Sequence, residues 1–81
     1  MIVHCILFAR YAEVTGVDRV ELDLPDGSVV SDAIDRMRAQ IPNGNLIPPR
    51  TLVARNRRHV LGGEVLSDGD ELALLPPLAG G

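Results

Sequence analysis

The chain has no tryptophan, one phenylalanine and one tyrosine in 81 residues. Without aromatic bulk, its core has to be assembled from valine, leucine, isoleucine and alanine. With 8 basic against 11 acidic residues the net charge is −3, and there is no row of aromatics on which bases could stack. Both features argue against a nucleic acid as partner. Lysine is missing altogether, since all eight basic residues are arginine. Apart from its N-terminus, the chain therefore has no amine that could accept an acyl group. Cys5 is the single cysteine, which excludes an internal disulfide and fits a reducing compartment. It lies in an apolar, strand-like run and reads as a small core residue rather than a nucleophile. No apolar run approaches the roughly 20 residues that span a bilayer, and Met1-Ile2-Val3-His4-Cys5 lacks the basic start of a signal peptide. These absences lead to the expectation of a cytoplasmic protein with no membrane attachment.

Catalytic machinery is equally scarce. There is no GxGxxG, no phosphate-binding loop and no serine, histidine and aspartate at triad-like placement. His4 and His59 are isolated, with no second ligand at metal spacing. A chain of this length has room for one core and no second lobe.

What is present is a regular series of elements. Residues 2–9 are rich in β-branched and apolar types and run too continuously for a one-sided strand, so they predict a central strand. Alternation sets Val3, Cys5 and Leu7 on one face and His4, Ile6 and Phe8 on the other. If the Val3 face is the core, Phe8 is an exposed apolar residue of the kind that marks a partner surface; otherwise it packs under the next helix. Residues 10–16 predict one or two helical turns capped by Gly16. Val20, Leu22 and Leu24 alternate with charge, predicting a half-buried strand. After the turn Pro25-Asp26-Gly27, the spacing of Val30, Ala33, Ile34, Met37 and Ile41 predicts an amphipathic helix from about residue 28 or 29 to 41. Ser28 is its expected cap, with Asp32 and Arg38 complementing the dipole.

Leu52-Val53-Ala54 predicts a strand leading into the basic cluster Arg55-Asn56-Arg57-Arg58. That cluster reads as a solvated hairpin tip or edge, or as a contact for an anion or acidic partner. Gly62-Gly63 and Ser67-Asp68-Gly69-Asp70 predict turns, with both aspartates as turn residues. Glu71-Leu72-Ala73-Leu74-Leu75 predicts the last strand. The expected fold is α+β, a four- or five-stranded mixed sheet grasping one main helix, with first and last strands as parallel neighbours. Its other sheet face is expected to be partly open.

The chain then runs Pro76-Pro77-Leu78-Ala79-Gly80-Gly81. The prolines end the strand, and two residues without Cβ atoms form an arm thin enough for a narrow site. The expected division is a domain over residues 1–75 and a flexible tail over 76–81. A frayed terminus without function is the alternative.

From Leu66 through the Asp68-Gly69-Asp70-Glu71 turn, the apolar strand, Pro76-Pro77 and Gly80-Gly81, the chain resembles the ubiquitin-like sulfur carriers. It is most similar to the small subunit of molybdopterin synthase; Leu7-Phe8-Ala9 with Glu13 and Gly16 extend the likeness, and the length and element order match throughout. The thiamine-pathway carrier, shorter and without the Pro-Pro, is a weaker match. The resemblance implies a β-grasp, ubiquitin-like fold and a non-catalytic subunit. Gly81 would be adenylated by an E1-like enzyme using ATP and magnesium, then converted by a persulfide sulfur donor to a thiocarboxylate. That group would donate sulfur to a cyclic pyranopterin phosphate precursor of molybdopterin, within a heterotetramer whose large subunit supplies the catalytic residues.

By position, Pro76, Pro77, Leu78, Ala79 and Gly80 match the inserted tail. Phe8, Leu74 and Leu75 match apolar positions at the partner interface, and no cofactor is implied for this chain. It departs from the family where Leu74 and Leu75 replace common aromatics, where Ala12 replaces a frequent arginine and where Arg55 replaces an apolar residue. Two other readings remain open: a protein modifier joined through Gly81 to lysines on targets, and an interaction domain with an inert tail.

Overall fold

A computed structural model of the chain describes residues 1–76; residues 77–81 lie outside the described part. Strand β1 (Ile2–Leu7) buries Val3, Cys5 and Leu7 and leaves Ile2, His4 and Ile6 on the opposite face, as its alternation requires. Helix α1 (Ala9–Thr15) stops at Gly16, whose φ of 72° places it in the left-handed region that glycine tolerates. Strand β2 (Arg19–Asp23) returns antiparallel to β1, with Val3 opposite Leu22 and Cys5 opposite Val20.

Helix α2 (Val30–Gln40) lies across the sheet with Val30, Ala33, Ile34 and Met37 buried. Its expected cap was Ser28, but the cap is Val29, which has no side-chain acceptor. Ser28 instead donates its hydroxyl to the Pro25 carbonyl at 2.7 Å, drawn into the preceding turn. Asp32 supplies the cap from the other side, accepting the Val29 N–H at 2.9 Å. That is the return half of a capping box without its hydroxyl half. Beyond α2 a single 3₁₀ turn (Gly44–Leu46) follows, an element not anticipated from the sequence. Gly44 presses against the Arg38 backbone so closely that no Cβ would fit. The turn is held by Arg38 Nε donating to the Ile47 carbonyl at 2.6 Å, and it leaves Ile47 buried.

Strands β3 (Leu52–Arg55) and β4 (Arg58–Val60) form a hairpin across the two-residue turn Asn56-Arg57. Strand β5 (Glu71–Leu75) inserts between β1, to which it is parallel, and β3, to which it is antiparallel. The sheet order is β2-β1-β5-β3-β4, the mixed five-stranded β-grasp arrangement expected. One core lies between α2 and the sheet, lined by Leu7, Leu22, Ile34, Met37, Leu72 and Leu74. Among the described residues no helix is long and apolar enough to cross a membrane.

Candidate functional site

The sheet face turned away from α2 has no covering layer among the described residues, and its rungs can be read from the strand register. Ile6 stands beside Ala73, which stands beside Ala54, which stands beside His59. One step along, Leu75 pairs with Leu52, and Phe8 continues β1 toward the same rung. Phe8 has extended backbone angles (φ −114°, ψ 158°), so the alternation of β1 carries through to it and sets its side chain with Ile6. The result is an apolar surface two rungs deep, in which Phe8 is 44% and Leu52 43% exposed. Large apolar residues gathered on one open face mark a docking surface more often than isolated ones do.

Phe8 and Leu75, both read from the sequence as interface residues, are thus brought together. Leu74 is not, and that expectation is corrected. It is wholly buried, paired with Leu7 on one side and Val53 on the other. Adjacent strand residues point to opposite faces, so Leu74 and Leu75 cannot both meet a partner. Leu52 was missed, although the alternation of Leu52-Val53-Ala54 contains the signal once Val53 is assigned to the core.

Strand β5 is pinned at both ends. At its exit Tyr11 Oη and Thr51 Oγ1 are 2.8 Å apart, and Thr51 Oγ1 donates to the Leu75 carbonyl at 3.1 Å. This holds the backbone where Pro76 leaves the sheet beside Phe8 and Leu52. At its entry sits Asp70, which is buried. Its carboxylate accepts the Ser67 N–H at 2.7 Å, the Arg55 guanidinium at 2.7 Å and the Asn56 side-chain amide at 3.3 Å. Burial alone would raise the Asp70 carboxyl. The Ser67 hydrogen bond, those from Arg55 and Asn56, and the Arg55 charge outweigh it and hold the group below its ordinary value. Asp70 is therefore more than a turn residue, and Arg55 is drawn out of the basic cluster to pair with it.

The remaining candidates contribute little chemistry. Burial pushes the Cys5 thiol up to about 12, so it is no nucleophile. His4 lies on the open face with Nδ1 3.5 Å from the Glu21 carboxylate. Among the described residues no group of His, Cys, Asp and Glu is arranged to hold a metal ion. The predicted reacting residue Gly81 and the tail positions Pro77, Leu78, Ala79 and Gly80 lie outside the described residues; Pro76 is the last within them.

Residues 5–81 match the ThiS family. A molybdopterin synthase sulfur carrier subunit of Chlamydomonas reinhardtii is 34% identical over 83 residues, covering 100% of both chains. The crystal structure of small archaeal modifier protein 1 of Haloferax volcanii superposes with a TM-score of 0.85 at 32% identity, covering 95% of this chain and 98% of that one. A protein–protein complex of subunits 1 and 2 of molybdopterin-converting factor from Helicobacter pylori contains a chain with a TM-score of 0.72 at 19% identity and full coverage of both, a likeness of fold.

Proposed function

We propose that this chain, which belongs to the ThiS family and is a sulfur carrier related to the small subunit of molybdopterin synthase, carries its sulfur as a thiocarboxylate on Gly81. The observation that carries this reading is contiguity. The apolar face of Phe8, Leu52 and Leu75 ends where the pinned strand β5 releases Pro76, which supports a partner that would seat on that face and take up the arm.

The chemistry follows from the leaving group. A carboxylate is a poor electrophile, so an ATP- and magnesium-dependent E1-like enzyme first joins Gly81 to AMP with loss of pyrophosphate. A persulfide sulfur then displaces AMP, and cleavage of the new sulfur–sulfur bond by a second thiol leaves the thiocarboxylate. Its sulfur is softer and more nucleophilic than the oxygen it replaces, and it attacks the cyclic pyranopterin phosphate precursor. The proposed partner for that step is the large subunit of molybdopterin synthase, a pairing supported by the subunit name of the Chlamydomonas relative and by the Helicobacter complex. Cofactors belong to these partners; this chain contributes its docking face, residues 1–75 as a domain and residues 76–81 as the arm.

Intact-mass measurement tests the reading. After incubation with the activating enzyme, ATP and a persulfide donor, the chain gains the mass of one oxygen-to-sulfur exchange at Gly81, and a chain lacking Gly80-Gly81 does not. Absence of that exchange in the full chain overturns it. A second reading, conjugation of Gly81 to target lysines, is favoured by the likeness to the Haloferax modifier. Conjugate ladders in cell lysates that vanish with Gly81 would establish it. With no lysine of its own, the chain could not extend such conjugates through a side chain.

A further inference from the structure

Residues 50–63 contain four arginines and His59 and no aspartate or glutamate. The structure divides this charge. Arg55 is spent on Asp70, whereas Arg50, Arg57, Arg58 and His59 are exposed and form no ion pair among the described residues. Three of these four lie in the β3–β4 hairpin, on the outermost strand or its turn, and among the described residues no strand lies beyond β4. An edge of this kind offers unpaired backbone N–H and C=O groups.

Beside that edge, on the helix side of the sheet, is a groove of ≈ 380 Å³ between α2 and the hairpin. Its apolar floor includes Val30, Ile34, Val53 and Val60, while Arg50 and His59 stand among its lining residues. Leu61, directly after β4, is 81% exposed and lines the same groove. Arg57 stands at φ 74°, a conformation in which glycine is favoured over arginine. The face built from Phe8, Leu52 and Leu75 adjoins this groove at Leu52, which lines it, but differs in charge: its neighbours include Glu21 and Glu71 beside His4.

We propose that the β4 edge and its groove bind an extended, acidic segment of another protein, which adds as a sixth strand beside β4. Apolar residues at alternate positions would enter the groove next to Val60, and the carboxylates between them would project to the other face of the sheet beside His59, their charge drawn to the surrounding Arg50, Arg57 and Arg58. Backbone pairing gives affinity without sequence demand, and the period of two gives selectivity for apolar residues alternating with acidic ones. The charge favours acidic over basic segments and speeds encounter at low salt. This binding does not depend on the sulfur chemistry of Gly81.

The test titrates the isotope-labelled full chain with the peptide Ac-DVEVDVEV-NH2, followed by amide chemical shifts. Shifts at residues 58–62 and 30–34, saturating and weakened by salt, are expected. The basic analogue Ac-KVKVKVKV-NH2 should leave these amides unmoved, and N-methylation at alternate residues of the acidic peptide should remove binding by blocking strand pairing. Arg58→Glu and Leu61→Asp, both at exposed positions, are each expected to weaken binding by roughly tenfold or more, with the remaining spectrum unchanged. No shift at the β4 edge overturns the proposal, as does equal binding of the basic or the N-methylated peptide. Shifts confined to the Phe8 and Leu75 face overturn it as well.

Discussion

Asp70 shows how much can rest on one carboxylate in a turn. Its pKa is depressed in the folded chain, so the ionised form is preferred there more strongly than in the unfolded chain. The stability this contributes is complete above the unfolded value near pH 4 and is lost as the pH falls through the folded value. Asp70→Asn is expected to lower unfolding free energy by about 1–3 kcal/mol at neutral pH, with its gap to the parent closing below about pH 4. Denaturant melts across that range check it. Leu74 and Leu75 make a paired experiment from two adjacent leucines. Leu74→Ala opens the core and is expected to cost about 2–5 kcal/mol of stability. Phe8→Asp or Leu75→Asp leaves the melting temperature nearly unchanged and weakens binding to the synthase large subunit by about 2 kcal/mol, measured by calorimetry. Residue roles of the local kind, such as Gly16 ending a helix or Val3 and Cys5 sharing one face of a strand, were legible because neighbours in sequence decide them. The Arg55–Asp70 pair was not, because it spans the hairpin and β5 and only the sheet register brings its members together.

At the scale of elements, period was the reliable guide and single-residue signals the weaker one. The apolar spacing of Val30, Ala33, Ile34 and Met37 located α2, but the serine before it was diverted by Pro25, and the helix ends where Ile41 turns extended ahead of Pro42. The short β4 was legible only as part of a hairpin tip or edge, since three residues carry too little pattern to identify. Its turn gives a direct prediction. Asn56 and Arg57 have φ of 50° and 74°, the geometry of a two-residue turn that favours asparagine followed by glycine. Arg57→Gly is expected to stabilise the domain by about 0.5–1 kcal/mol in thermal melts, while weakening capture of the acidic peptide at the β4 edge.

Across the whole molecule, protection is expected to follow the sheet order. Strands β1 and β5 are paired on both sides, whereas β4 has one neighbour and three residues. Amide hydrogen exchange should therefore be slowest at Cys5, Leu72 and Leu74, and fast at Arg58–Val60, approaching global unfolding only in the centre. Exchange equally slow at β4 would show that the edge is held by something beyond β3. The overall architecture was legible from strand, strand, helix and strand order because parallel pairing of first and last strands demands a crossover. The open face was legible only as a possibility, since the sequence could not say which side of β1 the helix would choose.

The pairing of β1 with β5 also sets an order of events during synthesis. The first strand is made well before its parallel neighbour, which begins only at Glu71. Closing so long a loop is slow compared with forming the local hairpins. A nascent or prematurely terminated chain lacking β5 has no sheet centre and cannot complete the domain. Loss confined to residues after β5 would leave the sheet complete, a folded decoy able to occupy a partner without delivering anything. A chain cut before β5 lacks the strand that joins β1 to β3 and is expected to stay unfolded and exposed to proteases, so the topology itself screens out such copies before they meet a partner.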